Sequence, residues 1–152
     1  MYKITESIKE YYDRDNIGIK VQEEEEYDYI SLYYDGDNVK NIRCSVFVEK
    51  EEMPAVLVRL FGVCVIPEER CDVLVKMINE FNEDFKWAEF SISEKNELNI
   101  SSKSYVTEEN AGDVADMLCY FCVDAYDEVF AKIMSAIWNN ENGTERRSDE
   151  YV

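Results

Sequence analysis

The chain has 152 residues, of which 16 are basic and 34 acidic, giving a net charge of −18, and it contains no histidine. A chain of this length is expected to form one domain that buries roughly 68–70% of its unfolded surface. Its charge repels nucleic-acid phosphates and anionic membranes, leaving a basic partner as the one that electrostatics favours. Without imidazole, Ser-His-Asp and Cys-His catalysis and the usual histidine-bearing metal sites are excluded.

Ile4 to Asn16 reads as a first helix, with Ile4, Ile8, Tyr11 and Tyr12 at helical spacing, Thr5 or Ser7 as its cap and Gly18 as its stop. Gln22 to Glu26 is a charge block, read as a solvated approach to the first strand. From Tyr27 the period becomes two. Ile30, Leu32 and Tyr34 share one strand face, and Tyr29, Ser31 and Tyr33 share the other. Asp35-Gly36-Asp37-Asn38 carries hairpin chemistry. In the next strand Ile42, Cys44, Val46 and Val48 point inward while Arg43, Ser45 and Glu49 point out, with Phe47 the apolar exception on the outer side. Ala55 to Ile66 is apolar on both faces apart from Arg59 and Gly62, which predicts a strand covered on both sides, with Gly62 marking a bulge.

Pro67, Glu68 and Glu69 open a second helix whose stripe is Val73, Leu74, Met77, Ile78 and Phe81, ending near Asn79 and Asn82. Those two asparagines read as a polar contact to a partner or, more simply, as a C-terminal cap. Trp87 to Ser93 and Leu98 to Ser104 form a second hairpin, with Ala88, Phe90 and Ile92 facing Leu98 and Ile100. Thr107 then caps a long helix, with Glu108 and Glu109 against its dipole, running to about Asn139. Residues 140–152 are polar and expected to form a flexible tail after a domain at 1–139.

Candidate chemistry is sparse. Cys119 and Cys122 have C-x-x-C spacing but fall inside the long helix, away from the helix N-terminus that redox use needs. With Cys44, Cys64 and Cys71 they make five thiols, read as free cysteines of a cytoplasmic protein. No stretch approaches the ~20 apolar residues of a membrane helix, and the N-terminus lacks the apolar core of a secretory signal. Asp35 to Asn38 lacks the spaced ligands of a calcium loop. The carboxylates offer no pair whose separation can be read from sequence. The surface candidates are Tyr29, Tyr33 and Phe47, since tyrosine joins large contact area to a polar tip and is enriched at interfaces.

The order helix, three strands, helix, two strands, long helix resembles the YbjN family of bacterial proteins. The matching residues are Ile78-Asn79-Glu80-Phe81-Asn82, Phe90-Ser91-Ile92, Val106-Thr107-Glu108-Glu109 and Val123-Asp124-Ala125-Tyr126. The resemblance implies an α+β fold like that of type III secretion chaperones: a mostly antiparallel five-stranded sheet with three helices in the order α-β-β-β-α-β-β-α. It further implies a homodimer with a chaperone-like or regulatory role. The reading is a non-enzymatic, cofactor-free module that engages a protein or peptide client through Tyr29, Tyr33 and Phe47. The alternative is a small-ligand sensor with a pocket between the sheet and the long C-terminal helix.

Overall fold

The computed structural model describes residues 1–138; the segment expected as a flexible tail and the predicted helix end at Asn139 lie outside them. In chain order the elements are α1 (Lys3–Arg14), β1 (Lys20–Glu23), β2 (Tyr27–Tyr34), β3 (Ile42–Glu49), β4 (Ala55–Val65), α2 (Cys71–Asp84), β5 (Glu89–Ile92), β6 (Glu97–Tyr105) and α3 (Ala111–Trp138). A 3-10 turn, Glu68–Arg70, follows Pro67 and leads into α2. The strands form one antiparallel sheet in the order β1-β2-β3-β4-β6-β5. The chain therefore leaves β4 through α2, lays down β5 at the edge, and returns to insert β6 between them.

The α+β class and the three helices agree with expectation, but the sheet has six strands rather than five. The additional strand, β1, overlaps the supposed charge block. Its sequence Lys-Val-Gln-Glu offers only Val21 to a core, and its position is set by backbone pairing with β2, Lys20 opposite Ser31 and Glu23 opposite Asp28.

Alternation along the strands gives the sheet two unlike faces. Ile30, Val46, Val58 and Ser102 lie side by side across four strands on the inner face, and all are buried. Ile8 of α1, Leu74 and Phe81 of α2, and Cys119 and Val129 of α3 join the same core, so all three helices cover this one face. The prediction that β4 is covered on both sides fails for the same reason. Val56, Val58 and Leu60 are buried, whereas Leu57 and Arg59 are half-buried and Phe61 is exposed. Gly62 does mark a bulge: it has φ 53° where the β4–β6 register slips between Leu60 and Cys64, and its N–H donates to Asn99 Oδ1 at 2.7 Å. In α2 the apolar stripe is narrower than expected, with Leu74, Ile78 and Phe81 buried but Val73 exposed.

Neither Thr5 nor Ser7 caps α1, whose N-cap position is Tyr2 without a side-chain bond. Thr5 instead lies inside the helix, fully buried, and its hydroxyl donates to Asp28 Oδ2 at 2.6 Å. Lys50 Nζ lies 3.0 Å from the other oxygen of Asp28, an ion pair off hydrogen-bond alignment, and donates to Glu24 O. One buried carboxylate thus joins α1, β2 and the end of β3. At the far side, Gly112 of α3 sits against the Tyr11 side chain so closely that a methyl group there would overlap its Cβ.

The helices are then pinned by polar groups on α3. Asp116 accepts from Tyr34 at 2.5 Å and from Tyr11 at 2.7 Å, and the Tyr12 and Tyr34 hydroxyls are 2.7 Å apart. This carboxylate, followed by partial burial, pushes the Tyr11 phenol up to about 12, while burial first of all pushes Tyr12 and Tyr34 upward. Asp127 accepts backbone N–H bonds from Asp37, Asn38 and Val39 at 3.1, 2.8 and 2.7 Å, clasping the β2–β3 turn. Arg70 Nε donates to Ala136 O at 2.7 Å, tying the entry of α2 to the end of α3.

Two outcomes follow from these anchors. Replacing Asp28 with Ala strands the buried Thr5 hydroxyl and removes the ion pair of Lys50, which keeps its bond to Glu24 O, and should lower stability by about 2 kcal/mol, measured by urea unfolding. For Asp127, desolvation raises the carboxyl pKa, but the three N–H bonds and the charge of Lys40 outweigh it and hold the group below its ordinary value. A lowered folded-state pKa stabilises the fold above the unfolded value, and that contribution is lost as pH falls through the folded one. The native chain should therefore lose more stability between about pH 5 and pH 3 than Asp127→Asn does, as read from urea midpoints across that range.

Candidate protein-interaction surface

Among the described residues, no helix lies over the outer face of the sheet. Register places Tyr29, Phe47, Leu57 and Lys103 side by side across β2, β3, β4 and β6 on this face. The neighbouring row is Ser31, Ser45, Arg59 and Ser101, ending on Glu89 of β5. The rings meet in a continuous ladder centred on Phe47, with centroids 5.5 Å from Tyr27, 5.1 Å from Tyr29 and 6.1 Å from Phe61. Such spacings are those of favourable tilted and edge-to-face aromatic pairs.

Two arginines flank the ladder. Arg43 donates to Tyr29 Oη at 2.8 Å and to Ser31 Oγ at 3.2 Å. Tyr29 Oη in turn lies 2.9 Å from Ser45 Oγ, which explains why Ser45, although outward-facing as expected, is buried. The Arg59 guanidinium sits 5.5 Å from the Phe61 ring centre, and its Nε is buried without a partner. Among the described residues neither arginine forms an ion pair. In a chain with 34 carboxylates, the charge of both arginines is thus left without an acidic partner beside the aromatic floor.

The structure brings Tyr29 and Phe47 together as direct cross-strand neighbours, both half-buried, and sets Tyr33 opposite Arg43 at 55% exposure. Tyr33 is thus on the predicted face but outside the ring ladder. Sequence reasoning did not single out Phe61, Leu57 or Arg59. Their signal was present in the two-sided apolarity of β4, which was assigned to burial.

Two depressions border the sheet. A groove of about 910 Å³ runs beside the end of β6, lined by Arg59, Lys103, Tyr105, Lys86, Trp87 and neighbours. A smaller one of about 330 Å³ lies between the 84–88 loop and Phe121 and Asp124 of α3. Between the sheet and the long helix, where the alternative reading places a ligand pocket, the smaller depression reaches Phe121, Asp124 and Ala125, and the rest is packed. Leu60 and Ile100 of the sheet and Cys119, Cys122 and Val129 of α3 are all buried in one continuous core.

Interior chemistry is correspondingly quiet. All five cysteines are free. A hydrogen bond to Cys119, and then burial, pushes the Cys44 thiol far up; burial does the same to Cys122 and raises Cys64 to about 11. Each remains the unreactive thiol form at neutral pH. Asn79 is exposed, and Asn82 is not a helix cap: it accepts from Phe90 N at 2.7 Å and donates to Phe90 O at 3.1 Å, binding the outer edge of β5. Among the described residues no group of three or more Cys, Asp or Glu is placed to hold a metal, and no helix is long and apolar enough to cross a membrane.

No family model matches the chain, and no curated protein does. Among solved structures, it is similar to E. coli YbjN, a proposed transcription regulator, with a TM-score of 0.55 and 10% identity over 84% of this chain and 92% of that one. The fold is therefore YbjN-like. At this identity the likeness concerns the fold.

Native protein treated with a thiol reagent such as Ellman's should leave Cys44, Cys119 and Cys122 unmodified over the time in which Cys71 reacts. All five should titrate in a denaturing concentration of urea. Rapid native labelling of Cys119 or Cys122 would contradict the packing described.

Proposed function

We propose that the chain is a non-enzymatic module that binds a protein or peptide partner across its uncovered sheet face, with Tyr29, Tyr33 and Phe47 in the contact. The observation that carries this reading is the ring ladder on a sheet face that nothing in residues 1–138 covers. The solvated face of an antiparallel sheet is ordinarily polar. Here it presents Tyr33 at 55% and Phe61 at 54% exposure beside Arg43 and Arg59. Tyrosine, phenylalanine and arginine are the types enriched at protein interfaces.

A regulatory role is supported by the fold likeness to E. coli YbjN, itself a proposed transcription regulator. With a net charge of −18 the route to regulation is contact with protein rather than with a nucleic-acid backbone. Non-enzymatic action is supported by thiols held in the protonated form and by tyrosines committed to Asp116. The free cysteines suit a reducing compartment such as the cytoplasm. A second copy of the chain is the partner expected of a homodimer, and the same face would serve it.

The test compares the native chain with Phe47→Ser and Tyr33→Ser, substitutions on the open face that leave the core intact. Sedimentation at micromolar concentration and co-purification at low salt should show self-association or a retained polypeptide for the native chain. Either variant should weaken that association by about tenfold or more, about 1.4 kcal/mol. A native chain that is monomeric and retains no polypeptide, or variants that retain the same set, would overturn the reading.

A further inference from the structure

The sheet protects one part of its β5–β6 edge and leaves another open. Asn82 occupies both the N–H and the C=O of Phe90 from outside, acting as a one-residue substitute for a neighbouring strand. This also fixes the hydrogen-bonding phase of the pair. If the Phe90 groups point outward, the Glu89 and Ser91 groups point inward, toward their partners Ser101 and Asn99 on β6. The two-residue alternation of β6 then turns the backbone groups of Lys103 and Tyr105 to the same side as those of Ser101. The opposite phase is confirmed at the end of the strand, where Val106 N donates to Pro54 O, on the β4 side.

Beyond Ser101, however, β5 has not begun: its first residue is Glu89, opposite Ser101, and residues 86–88 precede the paired stretch. The N–H and C=O of Lys103 and the N–H of Tyr105 therefore face the 910 Å³ groove, while the Tyr105 carbonyl accepts from Ser104 Oγ at 3.0 Å. The groove is lined by the β6 edge and the 85–88 segment and extends over Ala55, Leu57 and Arg59 of β4 to Glu49, Glu51 and Met53. Tyr105 on the strand wall is 68% exposed, and Trp87 on the loop wall is 64% exposed. Lys86, Lys103 and Arg59 line the groove together with Glu49, Glu51 and Glu89, and none of the three cations forms an ion pair among the described residues, so the positive charge is local to each of them.

We infer that this groove is a strand-addition slot that takes an extended polypeptide segment in line with β5, paired to β6 through the backbone of Lys103 and Tyr105. The inference rests on the reading of the protein as a polypeptide-binding module, but it assigns an adjoining strand edge and a different bonding mode from the ring ladder. The chemistry of the occupant follows from the walls. Its backbone pairs with open N–H and C=O groups, as in other edge-strand complexes. The residue opposite Lys103 carries a carboxylate, since opposite charges directly across a pair are the favoured arrangement. The residue two positions along, opposite Tyr105, is apolar or aromatic; Trp87 bounds the loop side while its ring stacks on Phe121 of α3 at 6.1 Å. One carboxylate in an otherwise uncharged segment also limits repulsion from a chain of net charge −18.

The test uses a phage-displayed library of random seven-residue peptides panned against the full chain. Enriched peptides should place a single acidic residue between apolar ones and slow hydrogen exchange at the amides of Lys103 and Tyr105. Lys103→Pro removes a donor that faces the groove and no bond to β4, so it should fold and weaken these peptides by about tenfold, while Lys103→Ala stays within about threefold. Should Lys103→Pro fail to fold, Lys103→Glu keeps the backbone and must still weaken the acidic peptides by about tenfold. The proposal falls if no peptide enriches, if bound peptides leave both amides unprotected, or if a folded Lys103→Pro binds them as the native chain does. Protection of the same amides without peptide, rising with protein concentration, would assign the slot to a second copy and also overturn it. Binding lost in Phe47→Ser with the Lys103 and Tyr105 amides unprotected would retain the open-face reading and reject the slot alone.

Discussion

The structure depends on how α3 is held along one face of the sheet. At 28 residues it is about 42 Å long, and successive turns of it grip different parts of the chain. Asp116 takes the hydroxyls of Tyr11 and Tyr34, Tyr126 reaches Val63 O, Asp127 clasps the β2–β3 turn, and Ala136 O receives Arg70. Between these polar anchors the helix buries Ala115, Cys119, Cys122, Val129 and Ile133 against the strands. With α1 beside it, close enough to need a glycine at 112, and α2 over β5, the inner face is fully used. No helix remains among the described residues to cover the outer face. Its aromatic floor is a direct consequence of where α3 is fixed.

The open face and the β6 groove are continuous. Leu57 and Lys103, which end the ring row, also line the groove, and Arg59 stands in both. A segment entering as a strand beside β6 would thus deliver the rest of its chain onto the floor built around Phe47. Backbone pairing supplies affinity with little dependence on sequence, whereas a ring-and-arginine surface selects side chains. The two kinds of recognition have different weaknesses, and their adjacency lets one compensate for the other. Asn82 makes the arrangement directional, because it closes the Phe90 edge where an added strand would lie outside β5 instead.

Much of this was legible in the sequence because it rests on periodicity. The alternation of Ile42, Cys44, Val46 and Val48, the helical stripe of Leu74, Ile78 and Phe81, and the bulge at Gly62 depend on local patterns that survive into the fold. What was not legible depends on partners far away in the chain. β1 has no pattern of its own, since Lys20 to Glu23 is a strand only through β2. Thr5 looked like a helix cap because its natural alternative, a carboxylate 23 positions away, has no local trace. Asn82 looked like a cap for the same reason. The two-sided apolarity of β4 was visible but ambiguous: a strand reads alike whether its second face meets a helix or is kept for another molecule. Tyr29, Tyr33 and Phe47 were correctly assigned to the outer face by phase alone. Their assembly around Phe61 and Arg59 required the β3–β4 register.

The charge of the chain has a similar history. The exposed acidic residues include Glu6, Glu10 and Asp13 on α1, Glu80 and Glu83 on α2, and Asp113, Asp124 and Glu128 on α3, all on the helical layer. Arg43, Arg59 and Lys103 lie on the sheet side, interrupted by Glu49 and Glu89. A net charge summed over both layers describes long-range repulsion and solubility, and screening limits its reach to about 10 Å in ordinary salt. At the sheet surface the nearer cations and rings set the local field. In the interior, a hydrogen bond to Cys119 and burial raise the Cys44 thiol, burial raises Cys122, and the Tyr11 and Tyr34 phenols are bound to Asp116. Among the described residues, the aromatic face and the Lys103–Tyr105 edge are left without a covering element, and both lie on the sheet.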